Sequence, residues 1–379
     1  MEKKLNILAL ASAMDAKGLS QAKLAKAMNV TPTSVSQWLR EAKMPRPDKL
    51  LKLGMLLQLP FNQLVIRPSD PMAPVVAFRK RSPCKKNEEC TAAAKRRGTL
   101  LKQLAPYLPF DPLVTPSVLK QPSADYAYLQ EVVLRIRNQM GVRPDEKLAI
   151  RHLIKLFSDL HTVLIPVIWG AKGHYADGLH IYLPDSQTRW VYVNLDSYLW
   201  DFAFWMAHEL GHCLAPNMEE AAGDVFADAF AQTLLFPEVM AKAACDELNL
   251  LPSAQARISR VLEMGKEHNI SPVTVACATA CYAKANQLPP PVDPQDHFLH
   301  AAVSTAKKQE PTVAQVCIGY DVTPIPPQTY IRSAKETFGS PFFETLKVFL
   351  LKQPQKASFI QELLDIPLLD AKAIYEELR

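Results

Sequence analysis

The sequence predicts an α+β protein that is mostly helical, with an all-α domain in front, a small antiparallel sheet in the middle and a helical C-terminal segment. Three observations carry this. Residues 5–66, and most of the chain after Tyr126, repeat apolar side chains at helical spacing. Val163–Trp169, Gly178–Leu183 and Trp190–Leu195 read instead as strands. Prolines at 68, 71, 74 and 83, and again between 289 and 327, interrupt the periodic stretches. The expected division is 1–67, a connector at 68–125, a domain at 126–287 and a C-terminal domain at 288–379.

A chain of 379 residues can hold two or three domains, and 48% hydrophobic with 21% charged residues describes a globular protein. No apolar run approaches the ~20 residues of a membrane span, and the start Met-Glu-Lys-Lys-Leu-Asn lacks an apolar leader core. The expectation is a cytoplasmic protein with no membrane partner. Seven cysteines without regular spacing argue against a disulfide framework. Residues 1–105 carry 20 basic against 7 acidic side chains, whereas the whole chain is only +5. A basic front on an acidic body points to nucleic acid as the partner of the front.

In the first segment, Ser20 is a natural N-cap, and Leu24, Ala25 and Met28 give the apolar spacing of a helix. Asn29-Val30 makes a tight turn. Thr31 caps the next helix, with Pro32 at its first position, where a missing N–H costs nothing. Val35, Trp38 and Leu39 face inward and leave Thr33, Ser34, Ser36, Gln37 and Arg40 outward. Residues 5–66 thus read as five short helices containing a helix-turn-helix with a polar reading surface. Through Leu50-Leu51 and Leu56-Leu57 as well, the segment resembles the Cro/C1-type repressor domain. The resemblance implies that Gln21 and Thr31 contact phosphates while Thr33, Ser36 and Gln37 face base edges. Arg40 and Lys43 add ionic contact, and the partner is a double-stranded operator bound as a homodimer.

Amphipathic helices follow at 126–140 and 148–160, then the three strands. Pro184–Arg189 joins the last two strands as a hairpin, and Trp190, Tyr192 and Asn194 alternate with Val191, Val193 and Leu195.

The next stretch carries the chemistry. His208-Glu209-Leu210-Gly211-His212 lies behind Phe202, Phe204, Trp205, Met206 and Ala207, which read as a buried helix. Residues four apart share one helix face, so His208 and His212 can offer two imidazoles to one zinc ion. Glu209, one step round the helix, can reach water at the ion without competing for it, which is the place of a general base. Gly211 is a poor helix former and suggests close approach of another backbone. Cys213 reads either as a small buried hydrophobe or as a thiol able to visit the metal.

A catalytic zinc needs a third protein ligand. Downstream, Ala227-Asp228, Phe230-Ala231 and Leu234-Leu235-Phe236-Pro237 resemble the second helix of the ImmA/IrrE zinc metallopeptidases. That alignment places Asp224 on the family's liganding acid, usually Glu; Glu220, one turn earlier, is the alternative. The resemblance spans roughly residues 1–285. It implies a zincin-like metallopeptidase domain and endopeptidase cleavage of a repressor or antitoxin, relieving repression in stress, prophage or phage-defence systems. It also implies that the strand before the active helix is an edge strand holding substrate extended. His174, His180, Tyr182 and Tyr192 are candidates to steady the tetrahedral oxyanion. The rival is a repressor or antitoxin whose peptidase-like fold binds a partner without cutting.

Residues 79–102 hold nine basic and two acidic side chains. Such a stretch attracts phosphates in a salt-dependent way. It is expected to be a solvated linker or a second nucleic-acid contact, with single-stranded DNA as an activator of cleavage. No chemistry is legible in the helical segment Phe338–Leu378.

Overall fold

The computed structural model describes residues 4–40, 43–60, 64–66, 73–78, 88–110, 117–169, 178–218, 220–319 and 325–379. The chain forms two compact units, Met1–Ala73 and Pro74–Arg379.

The first unit contains α1 (Ile7–Ala16), α2 (Gln21–Met28), α3 (Pro32–Leu39) and α4 (Pro47–Leu57). A short antiparallel pair, β1 (Lys4–Leu5) with β2 (Val65–Ile66), ties its two ends together. A fifth helix was expected; residues 61–63, which follow α4, lie outside the described residues. Local chemistry sets the helix pair. Ser20 Oγ accepts from Lys23 N at 3.3 Å, and Thr31 Oγ1 accepts from Ser34 N at 3.2 Å. Between them Asn29 takes the left-handed conformation, φ 52°, that ends α2. Leu24, Ala25, Met28, Val35, Trp38, Leu50, Leu53 and Leu57 form the core.

The second unit is built on a four-stranded sheet: β3 (Val75–Phe78), β4 (Thr162–Val167), β5 (Gly178–Leu183) and β6 (Thr188–Asn194). The spatial order is β3-β5-β6-β4. β5 pairs antiparallel with both β3 and β6, whereas β4 and β6 are parallel, with Thr162 opposite Arg189 and Val167 opposite Asn194. The sheet is therefore mixed, correcting the expected antiparallel one. Apolar alternation tells which face a side chain takes; it does not encode the direction of the partner strand. β6 was expected at an edge and instead lies between β5 and β4; β3 forms the border beside β5.

Both faces of this sheet are covered, which explains why β4 is buried along its whole length. Leu164, Val191 and Val193 face one core, shared with α6 (Tyr126–Gln139), α7 (Ile150–Asp159), α8 (Leu199–Leu214) and α9 (Glu220–Leu235). That core extends through α10 (Glu238–Asn249), α11 (Ala254–His268), α12 (Pro272–Ala285), α13 (His297–Lys307) and α14 (Val313–Ile318). Val163, Ile165, Val167, Leu179, Ile181, Leu183, Trp190 and Tyr192 face the second core.

The second core is assembled from distant parts of the chain. It takes Ala94, Leu101 and Leu104 of α5 (Glu88–Leu104), and Phe342, Leu346 and Phe349 of α16 (Phe342–Lys352). α15 (Pro327–Glu336), α17 (Ala357–Leu364) and α18 (Leu368–Leu378) complete it. Each large apolar side chain buried there contributes about 1.5–3 kcal/mol. Polar ties fix the layer: Tyr192 donates its hydroxyl to Leu363 O at 2.8 Å, and Trp169 Nε1 donates to Leu364 O at 2.9 Å. The second unit thus begins inside the expected connector and includes residues 288–379, in place of the separate segments 68–125, 126–287 and 288–379. A short basic stretch and a proline-broken tail look independent in sequence because their packing partners, such as Asp185 for Lys102, Tyr192 for Leu363 and Asp365 for Arg97, are far away along the chain.

Candidate metal centre and nucleic-acid interface

α8 is almost entirely buried, and α9 packs along it. Their closest approach is at Gly211, where a Cβ would lie 2.9 Å from Ala227 Cα. The glycine is what lets the two helices meet there. That contact brings the histidines of α8 against the acids of α9. His208 Nε2 and His212 Nε2 are 3.0 Å apart, and His212 Nε2 is 3.3 Å from Asp224 Oδ1. One donor atom from each of His208, His212 and Asp224 falls within 4.8 Å of the other two. Bonds of ~2.0–2.1 Å to one zinc ion at tetrahedral angles separate donors by roughly 3.3 Å. The donor set and its spacing fit that ion. Asp224 is about half exposed, so the cluster opens on the α9 side.

Asp228, one turn beyond Asp224, accepts from His208 Nδ1 at 2.8 Å. This leaves Nε2 of His208 to face the cluster, the arrangement in which a carboxylate orients a metal-binding imidazole. The sequence reading aligned Asp228 but assigned it no role. The signal was present: 224 and 228 repeat on α9 the four-residue spacing of 208 and 212. The alternative acid Glu220 opens α9, and its side chain lies outside the described residues.

Glu209 is buried, 3% exposed, on the turn that carries His208. A Cβ at Gly178 would lie 3.5 Å from its Oε1, and His180 Nδ1 lies 3.9 Å from its Oε2. Burial, with the neighbouring His212, Arg189 and His208, pushes the His180 pKa down to about 3. Cys213 points away from the cluster: its Sγ accepts from Thr162 Oγ1 at 3.6 Å, and burial pushes its thiol up to about 12. It is a packing residue, since a buried, protonated thiol is a poor ligand.

In the first unit, α3 turns Val35 and Trp38 into the core and leaves Thr33, Gln37 and Arg40 exposed, with Ser36 half-buried beside them. Gln21, Thr31 and Lys43 are exposed as well, and the Thr31 hydroxyl also caps α3. Apart from Ser36, the expected reading residues are thus all exposed.

The basic stretch of the second unit departs from expectation. Arg79, Lys80 and Arg81 lie outside the described residues. Arg96 pairs with Glu362 at 3.6 Å, and Arg97 pairs with Asp365 at 2.5 Å beneath the Trp169 ring. Lys102 pairs with Asp185 at 2.9 Å. Arg97 and Lys102 thus hold α5 to its own unit, while Lys95 and Arg96 stay exposed.

A capped helix pair with a polar outward face defines the first unit as a DNA-binding domain of the transcription-regulator type. Residues 10–64 match the family described as helix-turn-helix, of the Cro/C1 kind. No curated protein and no solved structure matches the chain. Among the described residues, no helix is long and apolar enough to cross a membrane.

Proposed function

We propose that this DNA-binding regulator is also a zinc-dependent endopeptidase, which cleaves a repressor or antitoxin protein and so relieves repression in a stress, prophage or phage-defence setting. One observation carries the peptidase reading: His208, His212 and Asp224 converge while the buried carboxylate of Glu209 sits on the same helical turn. The substrate class rests on the resemblance of α8 and α9 to ImmA/IrrE peptidases. The first unit would hold operator DNA as a homodimer.

His208, His212 and Asp224 would hold the ion, which supplies polarisation of a peptide carbonyl and a more acidic water. Asp228 keeps the proton on His208 Nδ1 and so leaves Nε2 free to bind. Glu209 takes a proton from the attacking water at its carboxylate and returns it to the leaving amine. A fold that only bound a partner would have no use for a buried carboxylate at this position.

Metal analysis of the purified full-length protein tests the reading. One zinc per chain is expected, and His208→Ala should lose it. Glu209→Gln should keep the metal and slow cleavage of a co-expressed repressor by about 10²–10⁴. Wild-type protein that takes up no zinc overturns the proposal.

A further inference from the structure

We propose that His180 is a positioning residue for Glu209: its imidazole directs Nδ1–H at the Glu209 carboxylate and keeps that carboxylate aimed into the cluster. This rests on the peptidase reading of the same site.

Leu179 and Ile181 of β5 enter the core on the far face of the sheet, so Gly178 and His180 face α8. The two oxygens of Glu209 then meet different surroundings. Oε1 lies against Gly178, where there is no side chain, and Oε2 faces His180 Nδ1 across 3.9 Å. That separation is longer than a hydrogen bond, and catalytic hydrogen bonds of this kind often tighten only when substrate is bound. Both side chains are buried, so neither is free to choose water instead.

The field of the carboxylate selects the tautomer. With the proton on Nδ1, a donor faces Oε2; with the proton on Nε2, a lone pair would face it. The first is favoured. Burial opposes a second proton on the ring, the Arg189 guanidinium opposes it further, and the His212 ring lies 6.2 Å away, centroid to centroid. A neutral donor steadies Glu209 without cancelling its charge.

His180 Nε2 is buried and has no hydrogen-bond partner among the described residues. A buried polar atom left unpaired costs stability, and a leucine or phenylalanine would fill this place without that cost. The imidazole is thus better explained by what Nδ1 does than by packing. The other oxyanion candidates are engaged elsewhere or undescribed. Tyr192 donates to Leu363 O on the opposite face, and the Tyr182 ring lies under the Arg189 guanidinium at 5.5 Å. His174 lies outside the described residues.

The test has one arm independent of hydrolysis. Full-length protein labelled with ¹⁵N-histidine is examined by NMR, metal-free and zinc-loaded, and the resonance pair lost in His180→Asn identifies the ring. An Nδ1-protonated tautomer is expected, becoming a mixture in Glu209→Ala. An Nε2-protonated ring in the wild type, or a tautomer unmoved by Glu209→Ala, overturns the proposal. The second arm follows hydrolysis of fluorescein-labelled casein. His180→Leu should lower kcat by about 10–100-fold, a typical loss for a supporting residue, with KM and zinc content unchanged. His180→Asn keeps a donor near the Nδ1 position and should recover most of that loss. Equal losses in the two variants overturn the proposal. If the wild type hydrolyses nothing while the tautomer result holds, the His180–Glu209 pairing stands and the peptidase reading falls.

Discussion

Asp228 Oδ1 lies 2.8 Å from His208 Nδ1, which fixes the face that His208 turns toward His212 and Asp224. Asp228 thus acts on the cluster through His208, as the partner of the ring nitrogen that faces away from it. Asp228→Ala should therefore leave the zinc stoichiometry at one per chain and weaken the affinity by about 10–100-fold, as loss of such orienting partners does. Competition against a chromophoric chelator measures this, and an unchanged affinity would remove Asp228 from the site.

Asp224 Oδ1 lies 3.3 Å from His212 Nε2. Asp224→Ala should lower zinc content far more than Glu220→Ala, measured side by side on purified protein. The reverse order would mean that Glu220 is the third ligand.

Gly211 is held by packing as much as by chemistry. A methyl group there meets Ala227 Cα at 2.9 Å and Ala227 Cβ at 3.1 Å. Gly211→Ala forces the two helices apart beside the histidine pair, and should destabilise the unit by about 1–3 kcal/mol, the usual range for overpacking. Thermal unfolding of the full-length variant checks the figure; a stability equal to the wild type would show that the helix pair yields freely.

On DNA, Gln37 and Lys43 should separate. Gln37→Ala should relax base preference, while Lys43→Ala should weaken specific and random sequences alike and reduce the salt dependence by about one unit of slope. Titration of full-length protein against an operator selected from random DNA, at several salt concentrations, distinguishes them. Equal loss on specific and random DNA for Gln37→Ala would take it out of the base-reading set.

Arg97 tests the reassignment of the basic stretch. Its guanidinium is almost completely buried against Asp365 and Trp169. Arg97→Ala should cost about 1–3 kcal/mol by leaving the Asp365 carboxylate without its cation, seen in denaturant unfolding. Binding to single-stranded DNA should be unchanged by it. A variant as stable as the wild type but impaired in DNA binding would restore the linker reading.

What could be read from sequence was what is written locally. Ser20, Asn29, Thr31 and Pro32 place the helix-turn-helix because caps and turns act over three or four residues. The pairing of His208 with His212 follows from helix pitch, and the approach at Gly211 from the lack of any helical reason for a glycine. Long-range pairing was not legible. Val75–Phe78 joins β5 a hundred residues later, and Arg96 and Arg97 find their acids beyond residue 360. In one dimension these cations are indistinguishable from a solvated basic run. The parallel alignment of β4 with β6 was equally hidden, since both strands are apolar on both faces.

The second core imposes an order on synthesis. Arg97 finds its partner at Asp365, and the far face of the sheet is sealed by helices reaching Leu378. The helix-turn-helix unit has all its own core residues by Val65. On the ribosome it can fold while the second unit is still an incomplete sheet with one face bare. The histidine pair of α8 is translated long before the helices that complete its scaffold. A nascent chain therefore acquires its DNA-binding domain first, and a supported His208–His212–Asp224 cluster only after about three hundred further residues have emerged.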